Sequence, residues 1–383
     1  MSGWPTVKLA DCAEIVSGAT PSTSESAYWD GDICWATPKD LSELEGAYIS
    51  DTPRKITQKG LESCAATVLP ADSVLFSSRA PIGHVAINTI PMATNQGFKS
   101  FVPDRDRIHA KFLYHWLRRN RPYLESLGNG ATFKEVSKAV VSRIEIPLPS
   151  LAEQRRIAEI LDKADALRAK RRAALAQLDT LAQSIFLDIF GDPATNPKGW
   201  PVAALRRLGR VTTGGTPPSV KEGMFDGAIP FITPGDLESG QRVKRTVTEA
   251  GAAESGTVGA GATLVCCIGA TIGKIGKVTV RSAFNQQINA VEWGESVHPE
   301  YGFAVMRFFK PTIVAWGSST TLPILKKSAF ERIEVPVAPL DQQRVFAGRL
   351  DQWARLRSWN SLSLAMTDEL ARALQAQAFR GGL

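Results

Sequence analysis

The 383-residue chain has few of the residues that would staple or anchor a fold. Its five cysteines (Cys12, Cys34, Cys64, Cys266, Cys267) are odd in number and form no Cys-x-x-Cys. They read as small buried thiols of a reducing compartment. The four histidines (His84, His109, His115, His298) are scattered, so no metal site is expected. No apolar run reaches the ~18 residues of a membrane span. The opening MSGWPTVKLADCAE has no apolar leader segment, and the expected location is the cytoplasm.

Catalytic signatures are missing too. GATIGKIGK (Gly269–Lys277) resembles a phosphate loop, but no Gly-Lys is followed by Ser or Thr. No G-x-G-x-x-G follows a strand, and there is no G-x-S-x-G and no H-E-x-x-H. The N-P-P-[FY] turn of amino-methyltransferases and the Glu-x-Lys of metal-dependent nucleases are also absent. Together these absences weigh against a catalytic role.

A net charge of +7 permits an anionic partner without proving one. Residues 1–150 carry 16 basic and 16 acidic side chains, residues 151–190 carry 7 and 6, residues 191–339 carry 16 and 12, and residues 340–383 carry 6 and 4. The excess lies in the second half, and no basic tail exists.

The chain is instead rich in self-similarity. RIEIPLPSLAEQRRIAEILD (Arg143–Asp162) returns as RIEVPVAPLDQQRVFAGRLD (Arg332–Asp351), with ten of twenty positions identical. Residues 3–41 match residues 199–237 at 14 of 39 positions, including G-x-TP (Gly18–Pro21, Gly214–Pro217) and TP-x-DL (Thr37–Leu41, Thr233–Leu237). Ile82-Gly83 aligns with Ile272-Gly273, and Asn95-Gln96 with Asn285-Gln286. One unit of about 190 residues is used twice, far longer than the ~20–50 residues of a solenoid repeat.

Each unit begins with a Gly-, Pro- and Thr-rich part holding short strand-like runs such as SVLFSS, HVAINTI and ATLVCCI. A short amphipathic helix is expected around Lys111–Asn120, stopped by Pro122. The second part differs, since Leu151–Phe190 contains no Gly or Pro. Ser150 and Glu153 form a capping box, Gly191 and Pro193 form a stop, and 40 residues make a helix of about 60 Å. Its expected seam is Ile160, Ala164, Leu167, Ala174, Leu178, Leu181 and Ile185, interrupted by Arg171. The copy from Leu340 to Phe379 places Trp353, Leu356, Leu370 and Leu374 on the same stripe, with Asn360, Ser363 and Thr367 as polar interruptions. Such seams are made for another helix, and a duplicated pair is expected to run antiparallel. The expected fold is α+β, with two similar mixed domains (1–149 and 192–338) separated by long helices (150–191 and 339–383) in an antiparallel coiled coil.

Polar clusters recur in both copies. Arg, Lys, Asn and Gln are the side chains that read base edges, and Gly and small hydroxyl residues permit close approach to phosphate. Candidate DNA contacts are Thr20, Lys39, Ser78, Arg79, Asn95, Gln96 and Lys99 in the first copy, and Thr216, Thr233, Lys274, Asn285 and Gln286 in the second. Thr-Pro-x-Asp is equally a turn, and Asn-Gln equally a cap on buried strand ends. Shared residues favour the scaffold reading, which leaves base reading to residues that differ.

Across essentially its whole length the chain resembles the specificity subunit of type I restriction-modification systems. The resemblance is carried by IPLPSLAEQRRIAEILD, the helix ending IFLDIFGDP, the paired G-x-TP, TP-x-DL and NQ motifs, and S-R-x-x-IG, of which the second copy keeps the IG. The second copy departs in placing Pro339 and Asp341 where the first has Ser150 and Ala152. The resemblance implies a non-catalytic, sequence-specific DNA-binding subunit whose domains each read half of a bipartite, asymmetric target. It implies helices that space the domains and dock two methyltransferase subunits, with Gln154, Arg155, Gln343 and Arg344 in the joints. It also implies restriction-translocase partners, with S-adenosylmethionine, ATP and Mg on those partners and no cofactor in this chain. The competing readings are a two-headed protein scaffold that binds no DNA and a cryptic enzyme.

Overall fold

A computed structural model describes residues 4–79, 81–130, 134–239, 241–317 and 323–382. The chain forms two compact units, one of Met1–Arg172 with Leu362–Leu383 and the other of Ala173–Ser361. This division follows a different line from the sequence boundaries, because each unit takes part of both long helices. The helices themselves run Leu151–Phe190 and Leu340–Ala378. Among the described residues no helix is long and apolar enough to cross a membrane.

In the first unit a five-stranded sheet has the order Ala13–Ser17, Lys99–Pro103, Val74–Phe76, Val85–Asn88, Tyr48–Ile49. A three-stranded sheet sets Trp29–Ala36 between Lys55–Ile56 and Ala93–Thr94. The second unit repeats this with four strands (Gly209–Thr213, Ile288–Trp293, Thr263–Cys266, Ile275–Lys277) and four more (Thr246–Val247, Phe225–Ile232, Ser282–Phe284, Thr257–Val258). In each unit the first strand pairs antiparallel with the strand just before a long helix, Thr6–Lys8 with Glu145–Pro147 and Val202–Ala204 with Glu334–Pro336. The expected helix near Lys111 spans Ala110–Arg119. Pro122 does not end the helical run there. It sits in the first turn of a further helix, Arg121–Ser126, where its missing N–H costs nothing.

The repeated stretch builds a joint. Ser150 Oγ accepts from Glu153 N at 3.3 Å, which is half of the expected capping box. The Glu153 carboxylate turns forward to Arg156 instead, at 3.0 Å. Gln154 is fully buried. Its Oε1 accepts from His109 N at 2.8 Å, and its Nε2 donates to Arg107 O and Pro149 O at 2.9 Å each. Gln343 repeats the clamp on His298 N, Ser296 O and Ala338 O at 2.7, 3.1 and 2.7 Å. The second helix, with Pro339 in the cap slot, has this clamp without the serine.

The helices run antiparallel inside each unit. In the first, Arg168 donates to Asp368 at 2.6 Å, and Ile157, Leu161 and Ala378 share the domain core. In the second, Trp353 Nε1 donates to Leu178 O at 2.6 Å and Arg357 to Asp179 at 2.7 Å, while Phe346 packs on Phe186 and Phe190. The seam differs from the expected one. Leu167 and Leu181 are 42% and 40% exposed, and Leu356 and Leu370 are 53% and 55% exposed. Thr367 is buried and Trp353 meets Leu178 as the seam expects, but the buried face otherwise carries Ile157, Leu161, Phe186 and Phe190 on one helix and Phe346, Ala371 and Ala378 on the other. Each helix end turns its face toward a globular domain as well as toward its partner, so a two-helix pattern misplaces the stripe.

The domains meet the helices differently in the two units. In the first, Lys111 Nζ donates to both Asp162 oxygens at 2.9 Å, and buried His115 Nε2 lies 2.7 Å from Oδ1. The aligned positions in the second unit are Glu300, Asp351 and Ala304, which line a cavity of ≈ 420 Å³ together with Phe186, Phe303, Phe346, Trp353 and the charged Lys277 and Arg307.

Two outcomes are expected. Gln154→Leu strands three buried backbone partners and should cost about 3 kcal/mol in urea unfolding, whereas Arg155→Ala, an exposed neighbour, should stay within about 0.5 kcal/mol. Equal effects would refute the clamp. Burial pushes the Asp162 carboxyl up, but hydrogen bonds from His115 and Lys111 outweigh it and hold the group below its usual 3.8. A depressed carboxylate stabilises above its unfolded value and loses that contribution as pH falls through the folded one. Asp162→Asn should therefore flatten the loss of stability below about pH 3.8, and an unchanged profile would exclude this role.

Candidate nucleic-acid interface

In the first unit, Trp35 and Ala36 pair parallel with Ala93 and Thr94. Parallel neighbours leave a sheet from the same end, so the turns that follow, Thr37–Asp40 and Asn95–Gly97, emerge side by side. Asp40 Oδ2 accepts from Thr37 N at 2.7 Å and from its hydroxyl at 2.8 Å, locking the first turn. Asn95 Oδ1 accepts from Gly97 N at 2.9 Å, locking the second. The G-x-TP loop lies on top. A Cβ on Gly18 would sit 2.1 Å from Asn95 O, so only glycine permits the approach. Thr20 then bonds Gln96 through its hydroxyl.

The second unit repeats each contact. Phe231 and Ile232 pair parallel with Ala283 and Phe284. Asp236 Oδ2 accepts from Thr233 N at 2.8 Å and from its hydroxyl at 2.6 Å. Asn285 Oδ1 accepts from Gln287 N at 3.2 Å. Gly214 approaches Phe284 O, where a Cβ would lie at 2.3 Å, and Thr216 bonds Gln286. The three duplicated motifs are thus one structural element, made twice.

The first unit has an open cleft of ≈ 450 Å³ at this end, lined by Lys39, Arg79, Asn95 and Gln96 among others. Lys39 and Arg79 are exposed. Lys39 approaches Glu43 at 3.6 Å with both side chains largely in solvent, a contact of little strength. Lys39 aligns with Gly235 and Arg79 with Gly269, so the second copy lacks both cations at these slots. Lys274 does not replace Arg79, because it aligns with His84 at the edge of a strand.

Several expected contacts serve the interior. Ser78 is buried and donates to Gly97 O at 3.2 Å. Lys99 is 8% exposed with its ammonium 3.2 Å from Glu135. Asn285 is buried and spends its side chain on Gln287. Gln154 and Gln343 are fully buried in the joints, so the side chains expected to dock a partner are spent holding helix to domain. Arg155 and Arg344 beside them are exposed.

A model of the type I restriction modification DNA specificity domain matches residues 1–177 and 197–358. The chain belongs to this family. It is 36% identical over 247 residues to the type I restriction enzyme MjaIX specificity subunit of Methanocaldococcus jannaschii, covering 60% of this chain and 57% of that one. It is 28% identical over 171 residues to the EcoR124I/EcoR124II specificity subunit of Escherichia coli, covering 43% and 41%. The chain thus matches 57% of the length of the first of these curated relatives and 41% of the second. Among solved structures, a chain of a type I R-M system aligns over 100% of this chain and 98% of its own, with a TM-score of 0.65 and 18% identity. The HsdS subunit from Thermoanaerobacter tengcongensis aligns over 100% and 97%, with a TM-score of 0.54 and 20% identity. These likenesses show the shared fold.

Sequence reasoning missed one duplicated feature of this family member. Arg54 lies over Trp29 and Trp35 at 3.9 and 5.0 Å from the ring centroids. Arg245 lies over Phe225 and Phe231 at 5.3 Å from each. The signal was present as TPRKIT against VKRTVT, but it falls where the first copy carries an insertion and the alignment offset drifts.

Proposed function

We propose that this chain is the DNA-binding specificity subunit of a type I restriction-modification complex and is itself non-catalytic. Each unit reads one half of a bipartite, asymmetric target. The long helices set the distance between the halves and dock methyltransferase subunits, which recruit a restriction-translocase. S-adenosylmethionine, ATP and Mg belong to those partners, and the assembly works in the cytoplasm. One observation carries the reading. The same scaffold of turns is built twice, and the residues on it differ, because exposed Lys39 and Arg79 of the first copy stand where the second has Gly235, also exposed, and Gly269, which is buried. A shared frame with unshared contacts is what reading two different half-sites requires. Family membership favours this over a scaffold that binds no DNA.

Arg79→Ala should weaken binding of the cognate duplex by about 1–3 kcal/mol and relax base preference in one half-site only. Affinity and selection from a randomised duplex would measure this, and an unaltered affinity would remove Arg79 from the reading set. Inserting four residues near Thr180, in the first long helix, adds about 6 Å of rise and should lengthen the spacer in the methylation motif of cells carrying the variant. An unchanged spacer sinks the ruler.

A further inference from the structure

The paired arginines Arg54 and Arg245 point to a contact that neither the duplicated motifs nor the cleft includes. Each leads into a short strand, Lys55–Ile56 or Thr246–Val247, that runs antiparallel to the long strand of its small sheet. Arg54 O accepts from Trp35 N at 3.2 Å and Arg245 O from Phe231 N at 2.9 Å, so both backbones are fixed in the same register. The rings beneath are fixed too. Trp29 and Trp35 meet edge to face at 5.1 Å, as Phe225 and Phe231 do at 6.2 Å. Trp29 Nε1 donates to Ser22 O and Trp35 Nε1 to Ala19 O, both at 3.0 Å, which ties the platform to the G-x-TP loop.

Both guanidinium groups are exposed. Among the described residues neither takes part in an ion pair or side-chain hydrogen bond, although carboxylates partner many other basic side chains. A planar cation stacked on rings loses little further freedom when it binds, and its edge keeps all five donors for an anion. The same device in both copies, at different residues from those that diverge, suits the part of a target that does not vary, its phosphate backbone.

We propose that Arg54 and Arg245 are equivalent phosphodiester contacts, one for each half of a DNA duplex. The inference rests on the DNA-binding reading above and assigns positions to its sequence-independent part. The test uses the full chain and a mixed-sequence DNA duplex, with affinity measured against salt concentration. Arg54→Gln and Arg245→Gln keep a stem over the rings and remove the charge. Each should weaken binding at low salt and lower the slope of log K against log salt by about 0.9, and the double variant by about twice that. Arg54→Lys should restore the slope, because a phosphate contact needs the charge, whereas a purely packing role would not respond to charge. The base preference selected from a randomised duplex should stay as in the parent. A parent-like slope in the folded Gln variants, confirmed by thermal unfolding, would overturn the assignment while leaving the DNA reading standing. A parent that binds no duplex would overturn both.

Discussion

Everything in either unit hangs on one buried amide. Gln154 and Gln343 each hold a domain to the first turn of a long helix through three hydrogen bonds. Their backbone partners are the N–H that opens a domain helix, a carbonyl before that helix, and a carbonyl just before the long helix. Leaving such groups unpaired in the interior is costly, so the direction in which each long helix leaves its domain is set with little slack. The amide clamp supplies this at both joints, including the one where Pro339 replaces the capping serine.

Beyond the joints, the two units solve the contact between helix and domain with different chemistry. The first uses Asp162 between Lys111 and His115, with Asp165 and Asp368 around Arg168. The second uses rings, with Phe186, Phe190, Tyr301 and Phe346 in mutual contact. Rings tolerate a range of offsets, whereas charge-assisted hydrogen bonds specify geometry. The duplicated ancestry therefore persists in the frame, in the clamp and in the turn locks, while the packing between has been free to diverge.

How legible this was in the sequence depended on the range of the interactions involved. The duplication and the two long helices follow from local pattern, and the structure has them. Thr37 with Asp40 and Asn95 with Gly97 are contacts within three residues, and readings as a turn for the first and a cap on strand ends for the second were available. Which residues are exposed was not legible in the same way. Ser78 and Lys99 carry the right chemistry for DNA, yet one is buried under Gly97 and the other is drawn to Glu135, 36 residues away. The helix seam was right only in part, with Thr367 buried and Leu178 against Trp353, for a related reason. Leu167 and Leu356 keep the heptad spacing, but the domains compete for the buried face. Arg54 and Arg245 escaped because their meaning lies in the rings beneath them, which come from strands about twenty residues earlier.

The distribution of charge bears on how a target would be held. Residues 1–150 are balanced at 16 basic and 16 acidic side chains, yet they supply Lys39 and Arg79 to the first cleft. Residues 191–339 carry the surplus, 16 against 12, yet present glycine at both aligned slots. Net charge acts at the range of a Debye length, about 10 Å, and governs approach. Base reading acts at hydrogen-bond range and depends on single placed side chains. The two are separated in this chain, with placed cations on the balanced first domain and the surplus of the second lying away from the aligned slots.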